Sequence, residues 1–319
     1  MRRLFYCGVI GLFVAFGILV LHHTATANES STVVQPTSTD PASPQAFSLI
    51  VMDPLAAPLS CPCVEGYAQR KYDVLADRLQ AATGRPVALT FAESLSMALK
   101  KTAGNADLII GKDSVVRADA KVANQRITPL GMLSDKTGST TQFGMILVHQ
   151  ADPAESIDDL AGYSIIFGPP EADEKHAAIL TLLSEAGISV PEKLSISAAC
   201  SDGACKVIDR GPDSKTAAVI SSYAAPLLEG CGTIKKGDLR VVAKSKPVPF
   251  ITAFVTDRVS ATERRQVESV LFGLISDAEA TVALETLAGF LPVEATPADS
   301  PTVSVGDSAS GHSDAVKKK

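Results

Sequence analysis

Phe47-Ser48-Leu49-Ile50-Val51-Met52 is a nearly continuous apolar run stopped by Asp53-Pro54. Six residues with little polar alternation, bounded by a turn signal, read as a strand buried on both faces, the mark of a parallel sheet. Next, residues 67–83 place Tyr72, Leu75, Ala76 and Leu79 at helical spacing and end at Gly84. A second strand is expected over 85–91 and a second helix over 92–103. Ala106-Asp107-Leu108-Ile109-Ile110-Gly111 gives a third buried strand ending at glycine. Strand alternating with helix predicts an α/β protein whose mainly parallel sheets are flanked by helices. The pattern continues with strands over 143–149, 164–168, 217–221, 239–243 and 250–255. Further helices are expected over 174–186, 261–276 and 278–288.

The chain has 319 residues, 46% apolar and 20% charged, enough for two lobes that each bury a core. A formal net charge of −6 excludes a nucleic-acid partner, because phosphate neutralisation needs clustered Lys and Arg. Met1-Arg2-Arg3, an apolar run from Leu4 to Leu21 and Ala25-Thr26-Ala27 before Asn28 have the layout of an export signal over 1–27. Left uncleaved, the same segment is an N-terminal membrane anchor. Residues 28–45 and 294–319 are rich in Ser, Thr, Pro and Ala and read as a disordered linker and tail. Neither G-x-G-x-x-G nor G-x-x-x-x-G-K-[ST] occurs, so nothing points to a dinucleotide or a nucleoside phosphate. Only His149 and His176 fall in the folded part, without a G-x-S-x-G elbow, an H-E-x-x-H or a C-x-x-C, and no enzyme is expected.

One stretch is more specific. Ile157-Asp158-Asp159-Leu160-Ala161-Gly162-Tyr163-Ser164-Ile165-Ile166-Phe167-Gly168 is similar to a passage in the periplasmic binding proteins of phosphonate, phosphite and phosphate transporters. The opening strand, Tyr72 to Leu79, Ala106 to Gly111, Ala217 to Tyr223 and Pro247 to Phe250 with Val255-Thr256-Asp257 and Arg264 resemble other parts of that family. The resemblance implies a two-lobed type II periplasmic binding protein fold. It places lobe one at 46–148 plus 249–293 and lobe two at 149–248, joined by two hinge crossovers. It further implies a periplasmic monomer that closes on a small oxyanion and delivers it to an ABC-transporter permease or a membrane sensor. Pro169-Pro170-Glu171-Ala172-Asp173 stands where the family carries a Ser/Thr-rich turn that holds phosphonate oxygens. The carboxylates there would repel a doubly charged ligand.

Candidate ligand contacts come from strand ends and loops at the carboxyl edges of the sheets, where open α/β folds bind. These are Asp53, Ser60, Lys112 and Ser114 in the first lobe, and Ser139, Thr140 and Thr141 beside the first crossing. Glu171, Lys175 and His176 follow on the departed turn. Ser221, Ser222 and Tyr223 end a strand of the second lobe. The exported part holds five cysteines, an odd number. Cys61 and Cys63, with His176 as a third ligand, are of a kind that holds copper or zinc. Such a site would make the chain a periplasmic metal-binding protein or metallochaperone. Against the metal reading stand a long-range disulfide from Cys61 or Cys63 to Cys200, Cys205 or Cys231 and a local one between Cys200 and Cys205. An accessory ligand-binding subunit of an exported redox enzyme is a further role open to the same fold.

Overall fold

The computed structural model describes residues 45–60 and 68–293. The export signal and the tail expected above lie outside the described residues, as does the linker up to residue 44. In chain order the elements are β1 (Phe47–Met52), α1 (Asp73–Thr83), β2 (Val87–Phe91), α2 (Leu95–Lys101), β3 (Leu108–Lys112), α3 (Asp113–Val122) and β4 (Ile127–Leu133). Then come β5 (Thr141–Gln142), β6 (Gly144–His149), β7 (Ser164–Phe167), α4 (Ala177–Glu185), β8 (Ser195–Ile196), α5 (Cys200–Arg210), β9 (Thr216–Ser221) and α6 (Ala224–Gly230). The chain closes with β10 (Leu239–Lys244), β11 (Val248–Pro249), β12 (Ile251–Thr256), α7 (Ala261–Gly273), α8 (Ala278–Ala283) and β13 (Phe290–Pro292).

Two sheets result, one per lobe. The first runs β13-β4-β12-β3-β1-β2 and the second β10-β6-β9-β7-β8. All six residues of β1 are buried, and it pairs in parallel with β2 on one side and β3 on the other. Apolar side chains therefore point into two cores. Phe47, Leu49 and Val51 join Leu75 and Leu79 of α1 and Leu271 of α7 on one face, while Ile50 and Met52 join Leu95 of α2 and Val116 of α3 on the other. The expectation of mainly parallel sheets is corrected to mixed ones. Strand β12 lies antiparallel between β3 and β4, and β6 lies antiparallel between β9 and β10. A chain that leaves one sheet for the other and later returns must re-enter against the direction of its neighbours, and β12 is that returning strand.

The two crossings pair with each other as the short β5–β11 ladder, Val248 opposite Gln142 and Pro249 opposite Thr141. Strand β6, placed with the first lobe on its sequence position, is hydrogen-bonded into the second sheet from Gly144 onward. The first crossing thus lies at 141–143, several residues before the boundary read from sequence. Gly144 is required there. A Cβ on it would run into the Glu174 carbonyl oxygen and approach Ile179 Cδ1 to 3.0 Å. We expect Gly144→Ala to cost about 1–3 kcal/mol through overpacking, seen as a lower urea midpoint at unchanged slope.

Helices α3, α5 and α6 and strand β4 were not legible in the sequence. Helix α3 follows β3 with no intervening loop, Lys112 serving as its N-cap, and Gly111 does not end the strand. A Cβ at Gly111 would lie 2.8 Å from Met52 Cβ and 2.9 Å from Val116 Cγ2, so glycine lets β1 and α3 close on β3. The helix expected over 174–186 begins only at Ala177. Before it, Asp173–Lys175 form a 3-10 turn, and His176 breaks the register at φ −128°, ψ −85°. This break turns Glu174 and Lys175 inward. No helix among the described residues is long and apolar enough to cross a membrane.

Candidate functional site

Three carboxyl-edge segments meet between the lobes: the β3–α3 junction, the 171–176 turn and the end of β9. The Lys112 ammonium donates to Glu174 Oε1 at 2.5 Å, with the two side chains 8% and 0% exposed. The Ser221 hydroxyl donates to the same oxygen at 2.6 Å, while Glu174 Oε2 is buried without a partner among the described residues. Ser114 adds a second bridge, donating to the Glu171 carbonyl at 2.8 Å and accepting from the Asp173 N–H at 3.2 Å. Burial pulls the Lys112 ammonium below its ordinary pKa against the opposing pull of Glu174, and nearby Lys175 lowers it further.

Beside this bridge lies a pocket of about 300 Å³. Pro54, Leu55 and Ser60 form its first-lobe wall. On the second lobe it is lined by Lys175, Cys200 and Ser201 at the start of α5, Tyr223, Leu227 and Leu228 of α6, and Cys231. The buried Lys175 side chain donates to the Ala198 carbonyl at 3.2 Å and has no ion-pair partner among the described residues. Ala199, the N-cap of α5, provides no side-chain cap, which leaves backbone N–H groups at that wall without a side-chain acceptor. Tyr223 stacks on Phe250 at 4.8 Å between ring centroids. Its phenol is held well above its ordinary pKa, chiefly by burial and then by Cys200 and Glu174. The Cys231 thiol is pulled below its ordinary value by the Thr233 hydroxyl.

Behind Phe250, Asp53 is fully buried and accepts from Arg70 Nη1 at 3.0 Å, the Tyr72 hydroxyl at 2.6 Å and the Leu55 N–H at 2.9 Å. Arg70 in turn sits 5.5 Å from the centre of the Phe250 ring. Asp53 therefore shapes the first-lobe wall through Leu55 and Phe250.

Of the residues selected from the sequence, Ser60, Lys175 and Tyr223 line the pocket, and Lys112, Ser114, Glu171 and Ser221 form the bridge beside it. Ser222 accepts from the Phe143 N–H at 3.2 Å and ties β9 to the crossing. Ser139 and Thr141 bond within their own loop, and the Thr140 carbonyl accepts from the Phe250 N–H, so this loop serves the hinge. His176 Nδ1 lies 2.9 Å from the Gly168 carbonyl oxygen, and its ring meets Phe167 edge-on. Cys61 and Cys63 lie outside the described residues. Among the described residues no group of three or more His, Cys, Asp or Glu is arranged to hold a metal ion.

The Cys200–Cys205 pairing is corrected. Both thiols are free and both sit on α5. Five helical residues separate Cα atoms by about 7.5 Å along the axis and turn the side chains apart, beyond disulfide reach. Sequence reading also missed Glu174, Ser201 and the α6 wall. The buried Glu174 sat one residue beyond the turn that drew attention, and no spacing rule marks a carboxylate that folds inward.

A family model described as the periplasmic substrate-binding protein of phosphonate ABC transporters matches residues 66–299. No curated protein sequence matches the chain. Among solved structures, a binding-protein component of an ABC phosphonate transporter from Pseudomonas aeruginosa is similar at TM-score 0.59 and 12% identity, over 79% of this chain and 82% of that one. A Xanthomonas citri protein solved with chloride and with ATP is similar at 0.59 and 16% identity, over 79% and 92%. A Prochlorococcus marinus protein in complex with methylphosphonate follows at 0.56 and 10% identity, over 78% and 93%. At these identities the likeness is one of fold.

Proposed function

The chain belongs to the periplasmic substrate-binding proteins of phosphonate ABC transporters, and from that premise we propose that its inter-lobe pocket captures a small organic anion, a phosphonate-like oxyanion bearing an apolar substituent, for an ABC-transporter permease. The observation that carries this reading is the charge left over at the pocket. Asp53 and Arg70 neutralise each other, as do Lys112 and Glu174. Asp173 is exposed to water. Among the described residues Lys175 remains as a buried cation at the pocket wall, bonded to the Ala198 carbonyl and to no carboxylate. A buried ammonium is costly unless an anion meets it, so the pocket favours a ligand of negative charge.

The rest of the lining suits the same ligand. Ser60, Ser201, Tyr223 and the N–H groups at the start of α5 supply donors to oxyanion oxygens. Pro54, Leu55, Leu227 and Leu228 offer an apolar wall for the substituent. Because the pocket has walls from both lobes, hinge closure and capture are one event.

Calorimetry and thermal shift on the mature chain, with phosphate, methylphosphonate and larger alkylphosphonates, test this. A ligand at 100 times its Kd stabilises by about 2.7 kcal/mol. Lys175→Met is expected to weaken binding by about 2–5 kcal/mol while the unliganded protein stays folded. Unchanged affinity in that variant would remove the basis of the reading.

A further inference from the structure

We propose that Glu174 sets the charge of the ligand: by neutralising Lys112 it leaves one uncompensated ammonium at the pocket, so that the site selects singly over doubly charged anions. This rests on the anion-capture reading above. Lys112 and Lys175 come from different lobes, and Ser221, which shares Glu174 with Lys112, meets Cys200 of the Lys175 pocket at 3.8 Å; Lys175 is near enough to lower the Lys112 pKa. Without the Glu174 carboxylate, the Lys112 ammonium and the Ser221 hydroxyl would lose their shared acceptor and the site would carry two positive charges, a seat for the second charge of a dianion. Glu174 already occupies that seat, with Oε1 taking both donors.

Glu174 does more than fill space. An apolar pair of similar volume satisfies packing at such a position at no net cost to stability, whereas this carboxylate is fully buried and leaves Oε2 without a donor. What Glu174 supplies that a neutral side chain beside Lys112 would not is the charge that offsets the ammonium. A second negative charge on the ligand would find Lys112 already neutralised by Glu174.

The experiment compares methanesulfonate with sulfate, two tetrahedral anions whose charges of −1 and −2 do not change across the working pH range. Their affinities are measured by calorimetry for the wild type, Glu174→Gln and the double variant Lys112→Met/Glu174→Met. The ratio of the two affinities, compared between variants, cancels the contribution of the methyl group. Glu174→Gln keeps acceptor and shape but frees one positive charge, and its ratio should move toward sulfate by at least tenfold. The double variant removes one charge of each sign, and its ratio should stay with the wild type. A purely structural role would disturb both variants alike, and that outcome overturns the proposal. So does an unchanged ratio in Glu174→Gln. If the wild type binds both anions equally, the charge inference alone fails; if it binds neither these nor any phosphonate, the capture reading fails with it.

Discussion

Lys112→Ala should lower the free energy of unfolding by about 3–5 kcal/mol. Removing the ammonium leaves the fully buried Glu174 with Ser221 as its one side-chain donor among the described residues and strands a carboxylate in the interface between the lobes. The loss greatly exceeds the value of the contact itself, because what remains behind is an unpaired buried charge. Urea unfolding followed by circular dichroism reads it directly. The double variant Lys112→Met/Glu174→Met, which strands nothing, should unfold close to the wild type or slightly later. If Lys112→Ala shifted stability by less than about 1 kcal/mol, as for a solvent-screened surface pair, the bridge would be open to water and the lobes not held together there.

Asp53→Ala is the second large effect, again about 3–5 kcal/mol. Asp53 follows β1 and gathers three donors, so its loss leaves the Arg70 guanidinium and the Tyr72 hydroxyl buried without their acceptor. Tyr72→Phe provides the scale, since it removes one hydrogen bond and no charge and should cost about 1 kcal/mol. Both variants act behind the pocket. Asp53→Ala is also expected to loosen the Arg70–Phe250–Tyr223 stack and so weaken ligand affinity, whereas Tyr72→Phe should leave affinity near that of the wild type. Equal stability losses in the two variants would mean that Arg70 finds another partner.

The strands that order each sheet were legible because a strand buried on both faces has no polar alternation, and β1, β3, β9 and β12 show it. Helix α7, expected over 261–276, begins at a Ser260–Glu263 capping box ahead of an apolar stripe at Val267 and Leu271. By contrast, α5 carries Cys, Ser, Asp and Gly in its first turn, a composition that reads as loop. It is helical because Ala204 and Val207 pack under the second sheet. Tertiary burial overrides weak propensity there, and with the helix went the disulfide expectation.

The candidate site divides along the same line. Strand-end position indicated Lys112, the family resemblance added Ser221 and Tyr223 at the end of a second-lobe strand, and the turn after Gly168 drew in Lys175. Position did not indicate which of them meets a ligand. Lys112 and Lys175 look alike in sequence, yet one is neutralised from the opposite lobe by Glu174 and the other is left with a carbonyl.

Local pattern and the family passage over 157–168 thus determined the α/β class, the two lobes, the solute-binding role and the edge of the sheets where a ligand belongs. Only the tertiary structure decided the mixed strand directions, the crossing at 141–143 and the pairing of charges across the cleft. Burial and periodicity are properties of neighbouring residues along the chain. The partner of a buried charge lies 62 positions away between Lys112 and Glu174, and nothing short of folding brings the two together.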